Sequence, residues 1–184
     1  MSQMLIPEDY VVYTAALLQK STLKNRERFV VCEEMRVSSL EFILKEGPQS
    51  IILHWRIELK GLEAVTAEDF ISRNQHLSHL EQKLDLPLPY TLLTKSESNQ
   101  IWNRADQQTM RHQPMDGWKV FHERYPRSGG VVSFSAVGFN ENRTQALVEM
   151  GIRGDWLMGR GEMILMSRGE SGWKICQTMR LWVS

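Results

Sequence analysis

The C-terminal segment of the chain, residues 131–184, carries the pattern that most restricts the fold. Residues 131–137 alternate apolar with small polar side chains, and similar runs recur over 144–152, 162–168 and 173–183. Turns rich in Asn and Gly separate these runs, as expected between strands. Parallel strands need a crossover of a dozen or more residues, so connections this short allow only antiparallel pairing. The sequence therefore predicts an antiparallel β-meander.

The first 130 residues show the spacing of helices instead. Apolar residues recur at intervals of three and four, and Pro7 suits a first helical turn. Thr66 and Asp69 form a plausible capping pair, and Ser96 and Asp116 are candidate caps of later helices. Residues 103–115 are polar and without a period, which predicts a loop. Helices are predicted over 7–19, 50–60, 67–73, 96–102 and 117–125, with short strands at 28–32 and 90–94.

Helices first and strands last are typical of an α+β fold, with helices packed on one face of an antiparallel sheet. The chain has 184 residues, and no stretch rich in Pro, Gly or Ser divides it. One α+β domain over residues 1–184 is therefore the expectation.

The charge distribution argues against a nucleic-acid or membrane partner. Residues 1–96 carry 11 basic and 13 acidic side chains, and residues 97–184 carry 11 and 9. Nucleic-acid binding normally needs a clustered basic surface. No run approaches the roughly 18 apolar residues of a membrane span.

The two cysteines, Cys32 and Cys176, match no metal motif and no disulfide framework. Both lie in predicted strands, where free Cys behaves as a small hydrophobe, although a Cys32–Cys176 bridge stays open. The N-terminus lacks the charged and apolar regions of a signal peptide. We expect a cytoplasmic protein, or a secreted one if a leader has been removed.

Two residue pairs that include histidine could form a functional site, but each pair has a simpler explanation. His76 and His79 are three residues apart on a possible helix and could share a metal, but a third ligand is missing. His54 and Glu58 could form an acid–base pair, or an ordinary helical i,i+4 pair. Surface positions explain both pairs, so no metal and no cofactor is expected.

Two glycine motifs also fall short of known catalytic motifs. His122 followed by residues 128–130 (Ser-Gly-Gly) suggests a base near a nucleophile, but a nucleophile elbow joins a strand to a helix and this order is reversed. Gly154, Gly159 and Gly161 resemble a phosphate loop, yet such a loop opens a helix and this one opens a strand.

The remaining candidate site is the polar face of the predicted sheet. Alternation places Glu149 and Arg153 opposite Val148, and it places Arg180 and Trp182 opposite Leu181. With Ser133 and Ser135, these residues could line one concave surface that suits a small polar ligand. A solvated sheet face would need the same residues. The candidate ligand-binding residues are Glu149, Arg153, Arg180 and Trp182.

The C-terminal half resembles a group of small bacterial proteins of unassigned function. The likeness covers residues 87–184 and extends more loosely to Asp9-Tyr10 and 69–74. It implies no activity, cofactor or catalytic residue; members often begin with a secretion signal. The residues that carry it are Gly117, Trp118, Phe121, Tyr125, Pro126, 128–130, Ser133, Ser135, 137–140, 144–148, Gly159, Gly161, 172–175 and 182–184. The Gly-Trp-Lys-Ile strand is also similar to the closing strands of the cone-shaped fold of nuclear transport factor 2 and many small-ligand isomerases.

Without a catalytic constellation, the sequence favours a non-enzymatic small soluble protein that binds a protein partner or a small ligand. Six Trp and ten Met residues supply apolar material, and Trp156, Leu157 and Met158 in a predicted hairpin loop are candidate interface residues. The alternative is a small hydrolase or isomerase with a pocket between sheet and helices. That alternative requires a cavity with at least two ionisable groups of shifted pKa.

Overall fold

The computed structural model describes residues 4–20, 26–35, 37, 47–109, 117–154 and 159–183, with only the backbone described over 103–109. Within these residues, helices pack on a mixed sheet, which confirms the predicted α+β class. The helices are α1 (Pro7–Lys20), α2 (Pro48–Glu58), α3 (Ala64–Arg73), α4 (Lys95–Thr109) and α5 (Gly117–Arg124). The strands are β1 (Phe29–Cys32), β2 (Tyr90–Leu93), β3 (Val131–Phe134), β4 (Gly138–Phe139), β5 (Gln145–Arg153), β6 (Arg160–Gly169) and β7 (Gly172–Val183).

The strand order across the sheet is β2-β1-β3-β5-β6-β7, and the two-residue β4 pairs with β5. Strands β3, β5, β6 and β7 pair antiparallel in chain order, as the predicted meander requires. Strand β1 pairs parallel with both β2 and β3. The sheet is therefore mixed, because the two short N-terminal strands extend the meander.

Helices cover both faces of the sheet, whereas the sequence predicted helices on one face. On the first, which we call the α1 face, Tyr13 and Leu17 of α1 pack with Phe134, Val148 and Ile164. The other we call the α3 face. There β5, β6 and β7 pack against α2 and α3, while β1 and β3 pack against α4 and α5. The central residues of β5 and β6 are apolar on both faces, so each face needs a cover.

Two predicted helix boundaries are wrong. Helix α3 begins at Ala64, and its N-cap residue makes no side-chain capping bond. The Thr66 hydroxyl donates instead to Gln145, and Asp69 accepts the backbone N–H of Phe139. Helix α4 continues to Thr109, through residues 103–109 that the sequence predicted as loop.

The cap of α4 is Thr94 rather than Ser96. The Thr94 hydroxyl accepts the backbone N–H of Glu97 at 3.2 Å, and Glu97 accepts the backbone N–H of Thr94 at 3.1 Å. This reciprocal pair is a capping box, which satisfies two donors that a helix start leaves open. Asp116, the other expected cap, lies outside the described residues.

A buried ion pair joins α1 to α3. Arg73 donates from both terminal nitrogens to Asp9, at 2.9 and 2.8 Å, and also donates to the carbonyl of Val137. Burial raises the pKa of Asp9 above its ordinary value, and the bonds from Arg73 offset only part of this effect. Although burial alone lowers the pKa of Arg73, Asp9 raises it overall.

Among the described residues, none of the helices combines the length and the apolar character needed to cross a bilayer.

Candidate ligand-binding site

Two β-bulges in β7 determine which of its side chains reach each face. The register pairs Met163 with Met179 and Glu162 with Arg180, but Gly161 with Trp182. Leu181 is therefore an extra residue, and a similar shift occurs at Cys176. A bulge places two successive residues opposite one, so the period of two that the sequence suggested is broken twice.

Trp182 lies on the α3 face, over two glycines. Pairing aligns Ser133, Gly151, Gly161 and Trp182 in one row across four strands. A Cβ atom on Gly161 would overlap the indole of Trp182, and one on Gly151 would lie 3.3 Å from the indole and 2.6 Å from the Ser133 hydroxyl. The two glycines thus form a trough that receives the indole. Glycine inside a strand often marks such a place, where another group approaches the backbone closely.

The guanidinium of Arg153 lies over this indole, with Cζ 5.3 Å from the ring centroid of Trp182. Arg153 ends β5 and is exposed, while Trp182 is half-buried. Such cation–π contacts contribute about 0.5–1 kcal/mol at exposed sites. We call Arg153 and Trp182, on Gly151 and Gly161, the Arg–Trp shelf.

Glu149 lies on the same face, two residues before Gly151 on β5. Glu149 is buried, with 5% of its surface exposed to solvent. Its backbone N–H donates to the Ser135 hydroxyl at 2.8 Å, and its carbonyl accepts the Ser135 N–H at 2.9 Å. These bonds fix the backbone of β5 where the sheet continues past the end of β3.

Arg180 does not belong to this group, so the prediction that it shares a face with Trp182 is wrong. It pairs with Glu162, whose carboxylate forms an ion pair with Lys20 of α1 at 2.6 Å. Arg180 is therefore exposed on the α1 face, because the bulge at Leu181 comes between it and Trp182.

The structure thus brings Arg153 and Trp182 into contact and leaves Glu149 beside them. Sequence reasoning missed the role of Gly161, which it placed in a loop. A signal was available for Gly151, which interrupts the apolar run of β5, but Gly161 lies between Arg160 and Glu162 and gives no such signal. The proposed interface residues Trp156, Leu157 and Met158 lie outside the described residues.

A cavity of about 240 Å³ lies between the end of β1 and the end of α3, lined by residues that include Met35, Asn74, His76, Ser78 and Ala136. Among the described residues of its lining, His76 is the one ionisable side chain. The hydrolase or isomerase alternative requires two.

The sequence suggested that His76 and His79 share a helix, but in the structure they do not. His76 follows the end of α3, and His79 forms a β-bridge with Glu34. Within the described part of the chain, no three metal-ligating side chains come together.

Comparison of the chain with protein-family models, with curated proteins and with solved structures found no match. The resemblance to the small bacterial proteins stays a prediction.

Proposed function

We propose that this chain is a non-enzymatic binding protein whose ligand is a small polar molecule with a planar, anionic group. The ligand lies at the Arg–Trp shelf, with its anionic group on Arg153 and its planar part against the portion of the Trp182 indole that neither Arg153 nor the two glycines cover. The observation that carries the proposal is the exposed guanidinium held at 5.3 Å over a half-buried indole.

The contacts of Arg153 support this assignment. Its guanidinium lies over the indole, and among the described residues no carboxylate forms an ion pair with it. A guanidinium held in this way can bind a carboxylate or phosphate in bidentate geometry through its N–H groups. Trp and Arg are also the residue types most enriched among residues that dominate binding energy.

Benzoate and its neutral analogue benzamide are suitable probes, because both are planar and only benzoate is charged. The chain has six Trp residues, so its indole N–H groups give six NMR signals, and Trp182→Phe assigns one of them. We expect benzoate to shift the Trp182 signal at lower concentration than benzamide. The signal of Trp55, which is 3% exposed, should not move.

Arg153→Gln should weaken benzoate binding about tenfold, the loss expected for one hydrogen bond to a charged group. Arg180→Gln is the matched control, since it removes an exposed strand arginine from the other face. An unchanged benzoate affinity in Arg153→Gln would refute the role of Arg153. If neither probe moves the Trp182 signal, a planar anion is the wrong ligand class.

A further inference from the structure

Arg26 is a half-buried arginine three residues before β1, packed against a ring and a glycine. Its Cζ lies 5.0 Å from the ring centroid of Phe29. On Gly129, a Cβ atom would lie 2.6 to 3.0 Å from Nη2, Cζ and Nε of Arg26. Three guanidinium atoms so close to one point show that the group packs directly against this glycine.

The turn that carries Gly129 is held against the Arg26 segment by its backbone. The N–H of Glu27 donates to the carbonyl of Arg127 at 3.1 Å, and the two side chains form an ion pair at 2.6 Å. Gly129 has φ +70, in the left-handed region that favours glycine. Ser128, the neighbour of Gly129, is fully buried.

Two buried polar groups in this corner have no hydrogen-bond partner among the residues that the structure describes. They are Nη1 of Arg26 and the hydroxyl of Ser128. Buried polar groups are nearly always paired, and a buried unpaired donor is costly. Burial lowers the pKa of Arg26.

The surroundings of Arg26 differ from those of three other arginines in the described chain, each of which lies beside a carboxylate. Arg73 binds Asp9, Arg124 binds Glu97 and Arg168 lies near Glu8. Arg26 alone combines a buried, unpaired guanidinium nitrogen with a neighbouring buried hydroxyl that also lacks a partner, within the residues that the structure describes.

We propose that Arg26 and Ser128 form a binding site for a single oxyanion group, a phosphate or a carboxylate. Packing against Gly129 and Phe29 holds the guanidinium in place, and its Nη1 and the Ser128 hydroxyl are the buried polar groups that an anion would satisfy. A fixed arginine fork matches the geometry of both anions, and a hydroxyl adds one donor. This site is separate from the Arg–Trp shelf and does not depend on it.

The test uses inorganic phosphate and acetate, with sodium chloride at equal ionic strength as the reference. Either oxyanion should raise the melting temperature of the full chain in proportion to the logarithm of its concentration, once it exceeds its Kd. A response to phosphate alone or to acetate alone identifies which of the two the site prefers. No response to either, beyond that of chloride, would overturn the proposal.

Arg26→Met keeps an unbranched side chain over Phe29 and removes the fork. It should weaken anion binding about tenfold or more, while its melting temperature without anion should match or exceed that of the wild type. A purely structural Arg26 predicts the reverse: a lower melting temperature and an unchanged response. Ser128→Ala, which deletes only the hydroxyl, should also weaken anion binding. It replaces Arg26→Met as the test variant if Arg26→Met does not fold.

Two controls separate this site from general charge effects. Arg127→Gln removes a neighbouring positive charge in the same turn, and Arg180→Gln removes an exposed strand arginine that belongs to neither proposed site. Both variants should keep the wild-type response to the oxyanion. If Arg127→Gln loses the response as fully as Arg26→Met, net charge explains the binding and the site assignment fails.

Discussion

Individual residues of the shelf depend on neighbours that are far away in sequence. Trp182 can lie against the sheet because Gly151 and Gly161, on two other strands, carry no side chain. The sequence correctly placed Glu149 and Arg153 opposite Val148. It could not place Arg180 and Trp182, because a bulge depends on the partner strand and leaves no clear mark in the composition of its own strand.

Gly161→Ala should destabilise the fold by about 1–3 kcal/mol, the usual cost of inserting a methyl group into a packed site. The added methyl would occupy the position of the Trp182 indole, so the indole N–H signal of Trp182 should also move. Urea denaturation measures the first effect, and NMR measures the second.

Gly169→Ala is the control for this change, because a Cβ atom at Gly169, on the same strand, meets no atom within 4 Å. Combining Gly161→Ala with Trp182→Ala should cost less than the sum of the single changes, since the clash disappears with the ring. Additive losses would show that the two residues are not in contact.

At the scale of elements, the sequence predicted the helices better than their ends. The apolar period identified α1 and α2 within a few residues. It failed at α4, where residues 103–109 are helical although their sequence is polar and without a period. Helix propagation from a capped start needs no apolar face at every turn, so a periodless segment can continue a helix.

The capping box of α4 makes its stability depend on pH. Partial burial alone raises the pKa of Glu97, but hydrogen bonds from Thr94 and the charge of Arg124 lower it overall. Since the pKa is lower in the folded chain than in the unfolded chain, ionised Glu97 stabilises the fold above the ordinary carboxyl pKa. This contribution is lost as the pH falls through the folded pKa.

Glu97→Gln should therefore cost about 0.5–1 kcal/mol at pH 7, the range of a carboxylate at a helix start. The difference from the wild type should vanish in acid, when Glu97 is protonated. Urea denaturation at a series of pH values measures it. Glu123→Gln, which removes an exposed carboxylate from α5, should cost less at pH 7; a cost independent of pH in Glu97→Gln would contradict the capping role.

At the scale of the whole molecule, residues that carry the resemblance meet in one place. Asp69 of α3 and Asn74, which directly follows α3, bind the backbone of residues 136–139: Asp69 accepts from Phe139, and Asn74 exchanges two hydrogen bonds with Ala136. A Cβ atom on Gly138 would overlap the backbone of Phe70, so only glycine lets α3 approach this closely. Such long-range contacts explain why the sequence predicted the meander but not the two-sided helical cover or the parallel pairing of β1.

The Asp9–Arg73 pair should control how α1 and α3 are held to the sheet. Arg73→Met leaves the carboxylate of Asp9, which is 0% exposed, without its partner. Breaking a buried pair from one side costs about 3–5 kcal/mol, because the remaining charge is buried and uncompensated. Urea denaturation should show this loss, whereas Arg127→Met, which breaks an exposed pair with Glu27, should change stability little.

The double change Asp9→Leu with Arg73→Met should recover most of that loss. Taking two charges out of water costs about as much free energy as their attraction returns, so this buried pair should add little net stability over apolar side chains of similar size. What the pair contributes instead is a defined position for residues 136–139, since Arg73 also binds the carbonyl of Val137. The double variant should therefore be stable but show altered amide NMR shifts for residues 136–139. A double variant as unstable as Arg73→Met alone would mean that the pair itself stabilises the fold.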